Sequence, residues 1–359
     1  MREQTDLLET SIRIIKENQS RYGSYVAAPN YPTYHYCWLR DGTFTACSMD
    51  VAGEHDSARR YYHWVHETIN RHAWKVESLL SKGNRGERST PDDYLHARYR
   101  LDGTEASEAW NNKQFDGYAT WLWGLAEHIK MTGEEYLLEE FGKSIEVTLK
   151  YLTHVWKEPC YDCWEEFPDK VHTSTLACIA GGLSAINVFL KDRGIERQAR
   201  EIIDFLKSKC TFERRFAKFY DPAADRSRGI DGSLLWIAYP FNIVSPTDPL
   251  FSRTCQEIEA RLLNGGVHRY PGDTFYGGGE WIILTLWLAW HYHTMGRVDR
   301  YDSLVEWVEG AADERGQLPE QVSVRLNTPE EYQKWVDRWG PVAKPLLWSH
   351  AMYILVKEI

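Results

Sequence analysis

Apolar residues three and four positions apart recur along nearly the whole chain, the spacing that puts them on one face of an α-helix. They predict helices over 5–18, 42–52, 54–76, 115–131, 133–155 and 173–191, and then over 194–209, 230–239, 248–264, 280–295, 297–312 and 345–357. Gly53, Gly133, Gly194 and Gly296 stand where consecutive helices reverse. Alternating strand patterning is scarce, so strands are expected only as short hairpins in loops.

The connections alternate in length. Those after the second, fourth, sixth and tenth helices are a few residues, and the one after the eighth is 240–247. The others are long: 19–41, 77–114, 156–172, 210–229, 265–279 and 313–344. Loops beyond ~12–15 residues are uncommon unless functional, and strict alternation predicts that all the long ones emerge on one side. Antiparallel helices in pairs with the long loops at one end describe an all-α (α/α)6 barrel. Its inner and outer rings would hold six helices each, with the loops forming a funnel. No Pro/Gly/Ser-rich linker divides the chain, so one domain over 1–359 is expected.

Composition narrows the function classes. With 43% apolar and 26% charged residues, disorder and low complexity are excluded. A net charge of −10 and the lack of a Lys/Arg cluster speak against nucleic acid. No apolar run approaches the ~20 residues of a membrane span. The first twenty positions carry Arg2, Glu3, Asp6, Glu9, Arg13, Lys16 and Glu17, an amphipathic helix rather than a signal peptide. Seven scattered cysteines fit a reducing compartment, so a cytoplasmic protein is expected. Cys160-x-x-Cys163 has no second pair or nearby His to complete a zinc site, and His63-x-x-His66 has no third ligand. Neither metal nor cofactor is expected.

Sixteen Trp and twenty-one Tyr are an excess. Each pairs a flat apolar face with a polar tip, which suits either a rigid aromatic core or stacking on sugar rings. The long loops hold most of the unusual chemistry. The first ends in Tyr36-Cys37-Trp38-Leu39-Arg40-Asp41, where Asp41 is either a helix N-cap or half of a donor–acceptor fork for adjacent hydroxyls. In the second, Trp110-Asn111-Asn112-Lys113-Gln114-Phe115-Asp116-Gly117 gathers amides around Trp; capping by Asp116 explains that residue but not Gln114. The third carries Trp164-Glu165-Glu166 beside Phe167, an apolar setting that raises a carboxyl pKa as a general acid requires. The fifth runs His268-Arg269-Tyr270-Pro271-Gly272-Asp273-Thr274 and then Gly277-Gly278-Gly279-Glu280-Trp281, without the spacing of a phosphate loop. The sixth supplies Pro319-Glu320-Gln321. Glu165 and Glu320 facing each other across a funnel would meet the two-carboxylate requirement of glycosidic cleavage.

In order and on separate loops, these segments resemble glycoside hydrolase family 15, the glucoamylase family. The resemblance implies an inverting exo-hydrolase releasing β-glucose from short α-1,6- or α-1,4-linked gluco-oligosaccharides. Isomaltose and maltooligosaccharides lead, and trehalose is a further candidate. It implies Glu165 as general acid and Glu320 as general base. Arg40, Asp41 and Arg269 would grip the glucose being released, and Trp38, Trp110, Gln114, Asp116, Trp164, Glu166, Tyr270, Asp273 and Trp281 would complete the sugar sites. Gly272 and Glu280 depart from the family pattern in the fourth segment, and the N-terminal β-sandwich and starch-binding module of some members have no counterpart in the sequence. The competing readings are a sugar-sensing barrel without turnover and a trehalose-cleaving or phosphorolytic barrel.

Overall fold

The structure, a computed structural model, describes residues 6–359. The first predicted helix, 5–18, therefore starts at a residue outside those described. In chain order the helices are α1 (Leu7–Glu17), α2 (Leu39–Val51), α3 (His55–Asn84), α4 (Asp116–Thr132), α5 (Tyr136–Glu140), α6 (Gly142–Val155), α7 (Thr173–Leu190) and α8 (Arg193–Lys209). They continue, after a 3-10 turn at Gly232–Ile237, with α9 (Pro249–Leu262), α10 (Ile282–Thr294), α11 (Val298–Glu309), α12 (Pro329–Trp339) and α13 (Leu347–Lys357).

The pattern of burial sorts them into two rings. Along α2 every residue from Leu39 to Asp50 except Asp41 is buried, whereas α8 buries only Ala199, Ile202 and Leu206. An element apolar all round belongs inside, and an amphipathic one outside. The inner ring closes on itself: α2 packs on α4, α4 on α7, α7 on Gly232–Ile237, that turn on α10, α10 on α13, and α13 back on α2. Outside, α1 packs on α13, α3 on α2 and α6, α8 on α7, α9 on the 3-10 turn and α11 on α10. This is the (α/α)6 barrel. A Cβ on Gly182 of α7 would lie 2.2 Å from the Ala119 carbonyl of α4, so this inner pair touches through backbone. Phe44, Trp236, Trp287 and Trp348, from four inner elements, plug the axis, with Phe44–Trp287 and Trp236–Trp287 centroids 5.4 and 5.1 Å apart. Part of the aromatic excess is thus core.

Several expectations are corrected. The helix predicted over 230–239 is only the 3-10 turn: Gly232 lies where a Cβ would fall 2.8 Å from Leu284, and Pro240, which has no N–H to give, follows three residues after its end. The segment 133–155 breaks at Phe141 into α5 and α6, and α3 runs on to Asn84. Gly194 lies inside α8; the reversal after α7 is made by Lys191 at φ 54°. α7, with mean hydropathy 1.6 over 18 residues, is long and apolar enough to cross a membrane, because as an inner element it is wrapped by neighbours. The connection 313–344 contains α12. Strands are indeed short. β1 (Cys37–Trp38) pairs antiparallel with β2 (Arg98–Tyr99), Trp38 opposite Arg98, and a four-stranded sheet aligns Gln321–Val322, Glu280–Trp281, Gly266–His268 and Leu263–Asn264 in that order.

Candidate active site

At the loop end of the barrel is a cavity of about 550 Å³, within the usual range for small-ligand sites. Ten of the predicted residues line it: Trp38, Arg40, Asp41, Trp110, Trp164, Glu165, Glu166, Arg269, Trp281 and Glu320. Gln114, Asp116, Tyr270 and Asp273 stand behind them.

Glu165 is delivered by a tight turn. Asp162 Oδ1 accepts the backbone N–H groups of Trp164 and Glu166 at 3.0 and 2.9 Å, and Glu165 itself sits at φ 69°, a left-handed conformation disfavoured for a residue with a Cβ. Its Oε1 accepts three N–H bonds: from Trp38 Nε1 (2.7 Å), Trp110 Nε1 (2.9 Å) and Gln114 Nε2 (3.0 Å). With Oε1 committed, a proton on this carboxyl belongs on Oε2. The apolar wrapping expected from Trp164 and Phe167 is not what surrounds it. Trp164 turns its Nε1 to Asp231, 3.1 Å away, and Phe167 is 37% exposed against Phe219 and Tyr270.

The carboxyl that burial raises most clearly is Glu320. It is 4% exposed, held where Gln321 pairs with Trp281, and pushed up to about 8 by desolvation against the opposing pull of Arg269 and Tyr34. Asp41 is likewise raised, to about 6, by burial that outweighs the adjacent Arg40 guanidinium.

Arg40 sits in the floor of the cavity. Its Nη1 donates to Asp116 Oδ2 at 2.8 Å and Gln114 Oε1 at 3.1 Å, and its Nε lies 3.3 Å from Asp41 Oδ2. Neither acid is the N-cap considered from the sequence: Trp38 precedes α2 and Phe115 precedes α4. Gln114 links the halves, accepting from Arg40 and donating to Glu165. Across the cavity, Arg269 is clamped by both oxygens of Asp273, with Nε to Oδ2 at 2.7 Å, and reaches Glu166 at 3.5 Å. The Tyr270 hydroxyl donates to Glu166 Oε2 at 2.5 Å. Burial raises the Glu166 carboxyl, opposed by Arg269.

Gly272 and Glu280 do not line the cavity. Gly272 is a left-handed turn residue, and Glu280 accepts the Gly266 N–H at 3.1 Å and faces Arg325. Of the Gly-Gly-Gly run, Gly278 has no room for a Cβ, which would fall 2.3 Å from the Asp273 carbonyl oxygen. Cys160 and Cys163 are buried free thiols, and His63 and His66 pack on Phe141. Among the described residues, no cluster of His, Cys, Asp or Glu has the form of a metal site.

The sequence reading missed several contributors. Tyr34 lines the cavity where the charges of both Glu165 and Glu320 reach it. Trp335, Arg338 and Trp339 of α12 form one wall, with Trp335 against Phe275 (5.0 Å) and Trp339 stacked towards Trp110 (6.4 Å, 25°). The signal was present: Tyr332, Trp335, Val336 and Trp339 have helical spacing between Pro329 and Gly340. Lys218, buried, lies 2.8 Å from Asp231 and 3.4 Å from both Asp162 and the Tyr270 ring, bracing the turn that carries Glu165. Arg98 packs behind Trp110. No local pattern marks these last two, since their partners are remote in sequence.

Two carboxyls on separate loops therefore open onto one aromatic-walled cavity floored by charged hydrogen-bonding groups. The family model of glycosyl hydrolases family 15 matches residues 6–302, a stretch that includes Glu165 and ends before Glu320. The chain is 36% identical to an isomaltose glucohydrolase of Kribbella flavida over 98% of its length and 92% of the relative's. A solved wild-type glycosidase superposes with a TM-score of 0.92 at 36% identity, covering 98% of this chain and 96% of the other. A glucoamylase of Saccharomycopsis fibuligera shares the fold at 15% identity, with a TM-score of 0.73 over 99% of this chain and 95% of the other.

Proposed function

The chain belongs to glycosyl hydrolases family 15 and is a glycoside hydrolase, and from that premise we propose that it cuts single glucose units, with inversion, from the non-reducing end of short α-1,6-linked gluco-oligosaccharides. What carries this reading is the convergence of Glu165 and Glu320 on one cavity, with Oε1 of Glu165 fully engaged and Oε2 available to hold a proton. The isomaltose glucohydrolase relative favours the α-1,6 linkage over α-1,4. Arg40, Asp41 and Arg269 take the hydroxyls of the departing glucose, and the Trp residues wall its ring.

In the reaction, Glu165 Oε2–H protonates the glycosidic oxygen as the C1–O bond breaks. Glu320, in its ionised form, takes a proton from a water that adds to C1 on the opposite ring face; because burial holds this carboxyl at about 8, the working form grows as pH rises towards that value. A carboxyl separation of ~6.5–9.5 Å, rather than ~5–5.5 Å, leaves room for that water. Metal plays no part in this scheme. The product is β-glucose from an α-glucoside, and the two carboxyls exchange their protons with solvent before the next turnover.

Proton NMR from the first minutes of reaction with isomaltose, and separately with maltose, tests this. Early β-glucose is expected, faster from isomaltose. Early α-glucose overturns inversion, and binding without release from either substrate favours the sugar-sensing alternative. Substrate length is a second expectation. α12 forms one wall of the cavity, and we place it on the leaving-group side of the cleavage point, so Trp339→Ala is expected to lower kcat/KM for isomaltose by roughly two- to tenfold, the worth of a stacking contact of about 0.5–1.5 kcal/mol. The same variant is expected to improve isomaltotriose relative to isomaltose; an unchanged ratio means that α12 does not measure chain length.

A further inference from the structure

Arg98 is 2% exposed and has no carboxylate partner among the described residues. Its Nη1 donates to the Thr33 carbonyl at 2.8 Å, and its Nε is buried without an acceptor. Burying a cation this way is costly unless something else stabilises the charge. Here that something is aromatic: the guanidinium lies 3.6 Å from the Trp110 ring centroid, 4.1 Å from that of Tyr36 and 5.4 Å from that of Trp38. A planar guanidinium stacks on such faces and is held by the ring quadrupole. The β1–β2 pairing puts Arg98 directly opposite Trp38.

Two of those three rings are the indoles whose N–H groups meet at Glu165 Oε1. We propose that Arg98 is a positioning residue for proton donation by Glu165, a buried cation that fixes the Trp38 and Trp110 indoles and strengthens the bonds they give to Glu165 Oε1. A positive charge on an indole face draws electron density from the ring and makes its N–H a better donor, as neighbouring polar groups do along a hydrogen-bonded chain. The benefit is greatest after the proton has left, when Glu165 carries a full negative charge. Arg98 thus acts through the two tryptophans, and through its charge, which also reaches the Glu165 carboxyl directly, and it touches no substrate. This role rests on Glu165 being the general acid, as argued above.

Other groups act on the same carboxyl. Arg40 and Asp41 face Glu165 from the start of α2, and Tyr34 from the first loop. Glu108, which accepts from the Tyr36 hydroxyl at 2.9 Å, faces Arg98 from its outer side, and Arg338 of α12 stands at the cavity wall. All of these remain when Arg98 alone is changed.

The test compares isomaltose, whose leaving oxygen needs a proton, with α-glucosyl fluoride, whose leaving group does not. Arg98→Met is expected to lose roughly 10- to 100-fold in kcat on isomaltose, a part of what general acid catalysis supplies, and much less on the fluoride. Without the cation the Glu165 carboxylate is less favoured, so the alkaline limb of the isomaltose rate profile is expected to move to higher pH than in the wild type. Arg98→Lys keeps the charge without the plane; its limb is expected to stay near that of the wild type, with isomaltose still losing more than the fluoride. Equal losses on both substrates with an unmoved limb overturn the proposal and leave Arg98 as a structural bolt, and so does an Arg98→Met protein with full isomaltose turnover. Should Arg98→Met fail to show a cooperative thermal melt, the Arg98→Lys comparison decides by the same two readouts. A wild-type protein that turns over neither substrate refutes the underlying hydrolase reading instead, which keeps the two failures apart.

Discussion

Glu165→Gln is expected to lose about 10²–10⁴-fold or more in kcat on isomaltose while α-glucosyl fluoride turnover is largely spared. The substitution is conservative in shape. The amide oxygen can still accept the N–H bonds of Trp38, Trp110 and Gln114 that now meet at Oε1. Only the proton that would sit on Oε2 is lost, replaced by an amide NH₂ that cannot be transferred. The turn at Asp162 and the left-handed backbone of Glu165 are untouched, so the variant is expected to melt like the wild type. Steady-state kinetics on both substrates read the result. Near-normal hydrolysis of isomaltose would mean that the acid lies elsewhere.

Glu320→Gln is expected to fall as far, on both substrates, because loss of the base removes water activation regardless of the leaving group. Glucose affinity, measured calorimetrically, is expected to persist through Arg40, Asp41 and Arg269. A second consequence is thermodynamic. The ordinary glutamate carboxyl releases its proton near 4.5, whereas burial holds the folded-state value at about 8. Between those values the native state binds the extra proton, so wild-type stability decreases as pH rises through this window. Glutamine, neutral throughout, escapes that loss. The melting temperature of Glu320→Gln is therefore expected to gain on the wild type between pH 5 and pH 8. A gap that stays constant would mean that Glu320 ionises in the folded protein as it does in the unfolded one.

The barrel was legible because helical periodicity survives tight packing, and because alternating connection lengths constrain topology more than exact boundaries do. Legibility failed where tertiary contact decides the outcome. Gly232–Ile237 has a helix-like apolar pattern, yet it forms only a 3-10 turn, pressed so close to α10 that a Cβ on Gly232 would fall 2.8 Å from Leu284, and Pro240, with no N–H to give, follows it. α12 had both the spacing and the terminators of a helix, but it lies inside a connection that the topology required to be long. The site residues came from clustered, unusual loop chemistry, and ten of them do line one cavity. Their partners were another matter. Gln114 stands out in the sequence because capping does not explain it, and the structure makes it the bridge between Arg40 and Glu165. Lys218 and Arg98 were invisible because an isolated cation in sequence carries no sign of which carboxylate or ring it will meet.

Ring closure has a consequence for how the molecule is made. The inner circle is completed by α13, which wedges between α10 and α2, takes α1 against its outer side and anchors Leu347 N–H on the Ala27 carbonyl at 3.0 Å. Trp348 of the same helix lines the cavity and lies under the Arg40 guanidinium at 5.4 Å. Contacts joining such distant parts of a chain form late, because their loop-closure entropy is spent before they stabilise anything. On the ribosome, the earlier staves must wait with an open seam until α13 has emerged. The nascent chain is in this sense an unhooped barrel, inert and sticky along one edge, and the stroke that closes it is also the one that finishes the sugar pocket.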